Sequence, residues 1–321
     1  MKKTTNLLRL TPPEWSAELS MGSAFATATC GELVQGMLNE RDFLINSPID
    51  LYAKSSVILN DSGIVEVEPR SGFSKVEKAV GLTLAICNFS ECGAQVRMDS
   101  SIPRGKGLAS STAELVAAIK ATADACGVTL PEEAITAILL AVDRSTDAVH
   151  IDGVTMCNHL EGQVFARFGE PPPLGFLIVD TGGAVETNTF DREKARYVAR
   201  RHQQELSYAV TLVQKGFRLG LPSLIAKGAT ISAQVNQEVL WKPQLDELLH
   251  GTRQVGALGV NCAHTGTVLG VMFDPRVTTT DVLIDKIKSL VGRSALMGQH
   301  KLIGGGSIQE RSLSFYNQKM G

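Results

Sequence analysis

The chain has 321 residues, of which 44% are hydrophobic and 20% charged, and its formal net charge is −2. This balance offers neither the basic surface that binds nucleic acid nor a polybasic membrane signal, so a small-molecule partner is expected. No apolar run reaches the roughly 18 residues of a transmembrane helix, and the N-terminus lacks a signal-peptide core. Six cysteines without CxxC pairs or zinc spacing favour reduced thiols in a cytoplasmic protein.

Residues 1–22 are predicted to be an irregular lead-in, because Pro12 and Pro13 cannot lie inside a helix. The segment that follows, up to residue 170, mixes β-branched strand patterns with helical spacing. Its predicted strands are 23–28, 43–45, 51–59, 64–67, 95–98, 154–157 and 163–168, the first breaking at Cys30–Gly31. Its predicted helices are 74–87, 111–126 and one from 131 to about 142.

The three prolines at 171–173 form the clearest break between predicted elements in the chain, and they predict a domain boundary. An N-terminal ATP-binding domain at 23–170 and a C-terminal domain at 171–321 are therefore expected. Strands are predicted at 174–179, 257–262, 267–273 and 301–303. Helices are predicted at 191–216, 221–236, 244–250 and 281–290. Strands and helices without strict alternation indicate an α+β fold.

The segment 101–113, SIPRGKGLASSTA, joins a predicted strand to a predicted helix. Its glycines let the backbone approach a ligand closely, and the helix start offers free N–H groups and a positive dipole end. Three successive hydroxyls could meet phosphate oxygens or a magnesium ion, and Arg104 and Lys106 add two cations. A Ser/Gly-rich helix cap without any ligand explains the composition equally well. The pattern is neither a Walker loop nor GxGxxG.

This loop resembles the second motif of the GHMP kinases, P-x-x-x-G-L-x-S-S. Two further segments match in the expected order. The segment 28–36, ATCGELVQG, resembles the N-terminal motif, and the segment 261–270, NCAHTGTVLG, resembles the C-terminal glycine motif. These variants, and the S-I-P-x-x-K-G-x-A-S-S-T-A form of the loop, are similar to the L-threonine kinase branch, which makes L-threonine O-3-phosphate for the cobalamin side chain.

The resemblance implies a GHMP kinase fold, with an N-terminal domain like ribosomal protein S5 and a ferredoxin-like C-terminal domain. It also implies ATP and Mg²⁺ as cofactors. The expected ATP-binding residues are Pro103, Arg104, Gly105, Lys106, Gly107, Leu108, Ala109, Ser110, Ser111 and Thr112. The expected acceptor is L-threonine or a similar small molecule, with no nucleic-acid or membrane partner and a homodimer left open.

A carboxylate near the acceptor hydroxyl can take its proton during phosphoryl transfer. Asp147, in the polar turn 143–147, resembles the GHMP catalytic aspartate. The E-P-[ST]-D pattern of the threonine kinase branch is altered here, because the proline is missing and Asp143 stands one residue further away than the glutamate. Asp143 and Ser111 are the expected magnesium ligands. A solvated helix-end turn is the competing interpretation, and Asp152 is a competing base.

Glu32 and Gln35 follow Cys30–Gly31, where the backbone can approach a ligand, and are expected to bind substrate, although a surface pair is the simpler alternative. His264 is expected to contact the substrate carboxylate or to cap a turn. Thr265 and Gly266 are grouped with it as substrate-binding residues, and Gly266 is expected to serve close backbone packing beside the phosphates. His150 is expected to be a partly exposed strand-end residue, and the glycines at 304–306 either a ligand-facing loop or a flexible end. Competing functions are a kinase of homoserine, serine or another small amino alcohol, and a nucleotide-binding regulator that has lost catalysis.

Overall fold

The structure is a computed structural model that describes residues 20–70, 72–185 and 190–308. Within these residues the chain forms one eleven-stranded sheet and eight α-helices, an α+β architecture. The strands are β1 (Met21–Leu38), β2 (Arg41–Asn60), β3 (Val65–Glu68), β4 (Gly93–Ser100), β5 (Val154–Asn158), β6 (Gln163–Gly169), β7 (Gly175–Asp180), β8 (Ala257–Cys262), β9 (Val268–Phe273), β10 (Leu296–Lys301) and β11 (Ser307–Ile308). The helices are α1 (Ser74–Ile86), α2 (Ser110–Ala125), α3 (Glu132–Asp143), α4 (Arg192–Arg201), α5 (Gln203–Leu219), α6 (Pro222–Asn236), α7 (Leu245–Arg253) and α8 (Thr280–Val291).

The first two strands form a long antiparallel hairpin that sequence patterns had divided into short pieces. Its two-residue loop, Asn39–Glu40, has φ of 50° and 62°, the left-handed pair that a tight hairpin turn requires. Where a strand end was predicted, β1 continues through register shifts on both sides of Glu32. Such bulges bend a strand and interrupt its alternation, which explains why the pattern predicted a break.

The sheet continues through both predicted domains in the order β10-β7-β9-β8-β1-β2-β4-β3. The crossing point is the pair of β1 and β8, where Glu32 lies opposite Cys262. β5 pairs with both β2 and β6, while β11 pairs with β1. The division at residue 170 stays a prediction, since one sheet and one apolar cluster include residues from both sides of it.

Helix α2 lies in the core, and twelve of its sixteen residues are buried. Its alanines are the best helix formers and are small enough to let the helix approach β1 and β2 closely. The predicted helices α1, α3, α6, α7 and α8 are found with shifts of a few residues at their ends. The predicted helix at 191–216 was wrong as a single element. At His202 the backbone leaves helical geometry (φ −106°, ψ 27°), and this separates α4 from α5.

The last predicted strand was also displaced. It was expected at 301–303, whereas β10 occupies Leu296–Lys301 at the sheet edge beside β7. An edge strand is only half covered, so its polar residues hide it from an apolar pattern. All six cysteines are free thiols, and five of them are buried. Across the described ranges, no helix combines the length and apolar character needed to cross a membrane.

Candidate active site

The Gly-rich segment forms a loop between β4 and α2, as the sequence predicted. Gly105 and Gly107 have φ of 70° and 85°, and Ala109, at the helix start, is also left-handed with φ of 56°. A non-glycine residue in this conformation stores strain that the surroundings must hold. Helix α2 begins directly afterwards at Ser110. The free N–H groups of its first turn therefore lie beside the loop, as an anion site requires.

Main-chain hydrogen bonds bring the three motif segments together at this loop. Gly31 N donates to Gly107 O (3.3 Å), and Thr29 N donates to Leu108 O (3.1 Å). From the other side, the N–H groups of Thr267 and Val268 donate to Lys106 O (2.9 and 3.1 Å). The loop is thus held between β1 and the start of β9.

Two glycines make this approach possible. A Cβ built on Gly107 would lie 2.2 Å from Ala263 Cβ, and one on Gly266 would lie 2.3 Å from both Gly107 N and Lys106 O. Real Cβ atoms do not approach other heavy atoms this closely, so these positions require glycine. Leu108 is a core residue with 2% exposure, so it supports the loop from inside instead of facing a ligand.

The hydroxyls at the start of α2 meet two carboxylates, one from the last residue of α3 and one from the turn that follows it. Ser111 Oγ donates to Asp143 Oδ2 (2.6 Å), and Thr112 Oγ1 donates to Asp147 Oδ2 (2.9 Å). Lys75, on α1, forms an ion pair with Asp143. The sequence had grouped Thr112 with the phosphate contacts, whereas its hydroxyl is directed at Asp147. Both predicted carboxylates therefore lie at the helix start.

Asp147 lies in a tightly held turn. Its carbonyl accepts a hydrogen bond from Asn46 Nδ2 (2.5 Å), and Ala148 directly after it has φ of 54°. Burial raises the pKa of Asp147, the hydrogen bond from Thr112 lowers it, and the negative charge of Asp143 raises it. The net direction is upward, towards the range in which a carboxylate can accept a proton.

The two loop cations point in different directions. Lys106 Nζ pairs with Asp180 Oδ2 (2.6 Å) and donates to Gly183 O (2.6 Å). Arg104 pairs instead with Glu114 (2.8 Å) and lies over the Phe73 ring at 4.5 Å. The expected role of both cations beside the phosphates stays a prediction. Lys106 lies on the Asp180 side of the loop, and Arg104 lies on the side of Phe73 and Glu114.

That side of the loop carries a cavity of about 430 Å³. Phe73 and Ile102 supply apolar walls, and Arg104 and Glu114 supply charge at its edge. A cavity with aromatic walls and a few polar groups is typical of a small-molecule site. It lies directly beside the phosphate-loop candidate.

Glu32, Gln35 and His264 form a second group on the other side of the site. His264 N donates to Glu32 Oε2 (2.6 Å), and a hydrogen bond of 2.6 Å joins His264 Nδ1 to Gln35 Oε1. Glu32 and Gln35 are buried, contrary to the surface alternative. Burial raises the pKa of Glu32 well above its ordinary value, and the charge of Asp147 adds to this effect. Glu32 and Asp147 therefore interact electrostatically across the site.

His264 does more than cap a turn. Its ring lies 5.3 Å from the His159 ring and 4.5 Å from the Phe190 ring. Burial lowers the pKa of His264 well below its ordinary value and lowers that of His159 to about 4, so both are neutral at physiological pH. Thr265 is half-buried beside His264. Together with Arg192, the His159, Phe190 and His264 rings border a small cavity of about 30 Å³.

Several residues of the site were missed by the sequence patterns. Lys242 is buried and donates to Ala263 O (3.1 Å), although nothing in its local sequence indicates a site. Asp180 is the last residue of the otherwise apolar strand β7, and a carboxylate at a strand end is a usable signal for a site residue. Asn261 was quoted as part of a motif without a role, and its Nδ2 donates to Cys30 O (2.5 Å).

The competing residues lie elsewhere. His150 is buried and joined to Thr136 Oγ1 (2.7 Å), so the prediction of a partly exposed residue was wrong. Asp152 lies beside Gly306, where a built Cβ would come within 2.2 Å of its carboxylate. The glycines at 304–306 form a packed segment, because Gly305 N and Gly306 N both donate to carbonyls of the 149–153 turn (2.8 Å).

The chain is similar to several known proteins. Residues 74–159 match the family model of the GHMP kinases N terminal domain. The chain is 29% identical over 249 residues to an L-threonine kinase of Salmonella typhimurium (77% of this chain, 81% of the relative). It is 28% identical over 256 residues to an L-threonine kinase of Citrobacter freundii (79% and 87%).

Solved structures share the fold. A homoserine kinase from Cytophaga hutchinsonii has a TM-score of 0.67 at 16% identity, covering 93% of this chain and 99% of that chain. An L. major mevalonate kinase in complex with R-mevalonate has a TM-score of 0.63 at 13% identity, covering 91% and 97%. The fold of the chain is therefore that of these solved kinases, and residues 74–159 are similar to the N-terminal domain of the GHMP kinases. In sequence the chain is similar to the L-threonine kinases.

Proposed function

We propose that the protein transfers the γ-phosphoryl group of ATP to the side-chain hydroxyl of L-threonine, giving L-threonine O-3-phosphate and ADP. The hydroxyl oxygen forms the new bond to phosphorus, the bond to the β–γ bridging oxygen breaks, and Asp147 accepts the hydroxyl proton. The observation that carries the proposal is the meeting of Ser111, Thr112, Asp143 and Asp147 at the start of α2, directly beside a loop that two other motif segments hold in place.

The donor side is supported by the loop and the adjoining cavity. The first turn of α2 and the loop would hold the triphosphate through N–H groups. Lys106 would stabilise negative charge that develops on the phosphates. The cavity of about 430 Å³ beside Phe73 suits the base and sugar of the nucleotide, with Arg104 at its edge. In this proposal Arg104 contributes to nucleotide binding away from the transferred group.

The chemistry of Ser111 and Asp143 fits a magnesium ion. Mg²⁺ is usually held by one or two carboxylates together with phosphate oxygens and water. Here the hydroxyl of Ser111 and a carboxylate oxygen of Asp143 lie 2.6 Å apart. The ammonium group of Lys75 pairs with the same carboxylate, as a metal cation would. When bound, the ion would neutralise charge on the phosphates. Ser111 and Asp143 would hold the ion, and Lys75 would leave its ion pair with Asp143 for another partner.

The acceptor side is supported by the second group of residues. Glu32 and Asp147 are two carboxylates whose mutual repulsion would be relieved by a ligand ammonium between them. Arg192 borders the small cavity beside His264 and has no ion-pair partner within the described ranges, so it is available for a ligand carboxylate. A ligand with both an ammonium and a carboxylate group is an amino acid. This favours L-threonine over an amino alcohol.

A product-identified kinase assay tests the proposal. ADP release would be measured with L-threonine, L-homoserine, L-serine and L-threoninol, which lacks the carboxylate, and the phosphorylated product would be identified by mass spectrometry. L-threonine is expected to have the highest kcat/KM. Equal turnover of L-threoninol would contradict the proposal that the acceptor is an amino acid. A higher kcat/KM for L-homoserine than for L-threonine would make L-homoserine the substrate. Folded, ATP-binding protein that phosphorylates none of the four would sink the proposal.

The product's place in metabolism and the protein's location are part of the same proposal. L-threonine O-3-phosphate would supply the cobalamin side chain, in a cytoplasmic pathway. The similarity to L-threonine kinases over more than three quarters of this chain supports this assignment.

A further inference from the structure

Thr112 lies among the hydroxyls at the start of α2, but it differs from its neighbours in burial. It is only 5% exposed, while Ser110 and Ser111 are half-buried and accessible from the loop. A buried hydroxyl is badly placed to meet a phosphate that enters from the loop side. Its own partner is the carboxylate of Asp147, 2.9 Å away.

Other threonines inside the helices behave differently. Thr83, Thr122 and Thr136 each donate to the carbonyl four residues earlier, at 2.8 to 2.9 Å. This is the ordinary local bond of a helical threonine hydroxyl. Thr112 lies in the first turn of α2, where the carbonyl four residues earlier, that of Leu108, precedes the helix and accepts from Thr29 N. Its hydroxyl instead bonds a residue 35 positions away along the chain. A hydroxyl has one hydrogen to donate, so the bond to Asp147 excludes any other donation.

The carboxylate of Asp147 depends on this bond. Asn46 holds the main chain of the turn by bonding the carbonyl of Asp147, not its side chain. Within the described part of the chain, Thr112 is the side chain that hydrogen-bonds the carboxylate, and it takes Oδ2. The other oxygen, Oδ1, is left to accept a proton from an acceptor hydroxyl. A β-branched donor has few rotamers, so it fixes this orientation firmly.

We propose that Thr112 is a positioning residue that orients Asp147 by occupying Oδ2, and that it is not a phosphate ligand. The inference rests on the proposed function in so far as Asp147 is the base. A misplaced catalytic group loses rate without losing substrate affinity. The effect of removing the hydroxyl should therefore fall on kcat and leave KM for both substrates almost unchanged.

The test compares Thr112→Val, which keeps the shape and removes the hydroxyl, with Thr112→Ser, which keeps the hydroxyl. Thr112→Val is expected to lower kcat by about 10- to 100-fold, with KM for ATP and L-threonine within about twofold, and Thr112→Ser should recover most of the loss. The matched control is Thr122→Val on the same helix, which removes a local bond and should leave kcat unchanged. Full kcat in Thr112→Val, or a raised KM for ATP with normal kcat, would overturn the inference.

A second measurement does not depend on turnover. Melting temperatures of Thr112→Val, Asp147→Asn and the double variant form a cycle that reports the coupling of the two side chains. The shifts should be clearly non-additive, and additive shifts would overturn the inference even if the protein phosphorylates no tested acceptor. The proposed function itself fails only in the acceptor assay, so the two failures are distinguishable. If Thr112→Val does not fold, Thr112→Ala replaces it in both measurements.

Discussion

Replacing Gly266 with alanine tests whether the approach of the three segments sets the geometry of the phosphate loop. The new Cβ would lie 2.3 Å from Gly107 N and from Lys106 O. Ordinary heavy-atom separations are about 3.5 Å, so one of the two segments must move by about 1 Å. The movement would also strain the hydrogen bonds that Lys106 O accepts from Thr267 and Val268.

The size of the effect follows from this displacement. A misplacement of about 1 Å costs roughly 10²-fold in rate, which corresponds to about 2.7 kcal/mol of transition-state stabilisation. Weakening two hydrogen bonds costs about 2 kcal/mol of the free energy of unfolding. We therefore expect Gly266→Ala to lower kcat/KM about 100-fold and the melting temperature by roughly 3 °C.

Steady-state kinetics and thermal melting of purified protein measure both quantities. Gly220→Ala is the matched control, because Gly220 is left-handed (φ 65°, ψ 30°) and a Cβ there would meet nothing within 4 Å. It carries only the left-handed backbone cost of about 1 kcal/mol and should retain full kcat/KM. Wild-type kcat/KM in Gly266→Ala would refute the reasoning, as would an equal loss of activity in Gly220→Ala.

Three further predictions concern the charged groups. Asp147→Asn should lower kcat by about 10²- to 10⁴-fold with an unchanged Kd for a non-hydrolysable ATP analogue, measured by calorimetry; normal kcat would remove Asp147 as the base. The pKa of Glu32 is raised in the folded protein, so the folded protein binds the proton of this carboxyl group more tightly than the unfolded chain does. Ionisation of Glu32 therefore destabilises the folded protein as pH rises above the ordinary pKa of 4.5. Glu32→Gln should therefore raise the melting temperature at pH 8 more than at pH 4 while lowering turnover, and equal shifts at the two pH values would contradict this. Lys106→Gln should raise KM for ATP more than KM for L-threonine. Asp180→Asn breaks the same ion pair but keeps the cation, so it should change KM for ATP less than Lys106→Gln does. A larger change in Asp180→Asn would show that the ion pair with Asp180, and not attraction to the charge on ATP, accounts for the role of Lys106.

Much of the donor side could be predicted because its features are local in the chain. The loop and helix α2 are consecutive in the chain. Glycine favours the backbone conformations of the loop, hydroxyl residues favour the helix start, and alanine favours the helix itself. The meeting of Ser111 with Asp143 was also anticipated, through the resemblance of the segments to known motifs, and the structure places their side chains 2.6 Å apart. Their role as magnesium ligands stays a prediction.

The sequence by itself thus determined an α+β protein with a phosphate-loop candidate and three segments of one family pattern. Only the tertiary structure decided where the side chains point. It turned Arg104 towards Glu114, directed Thr112 to Asp147, and brought the buried Lys242 to Ala263. It also joined residues far apart in the chain, such as Cys30 and Asn261. The reason is physical: such pairings depend on how β1, α2 and β8 pack against one another, and no local period or spacing records that packing.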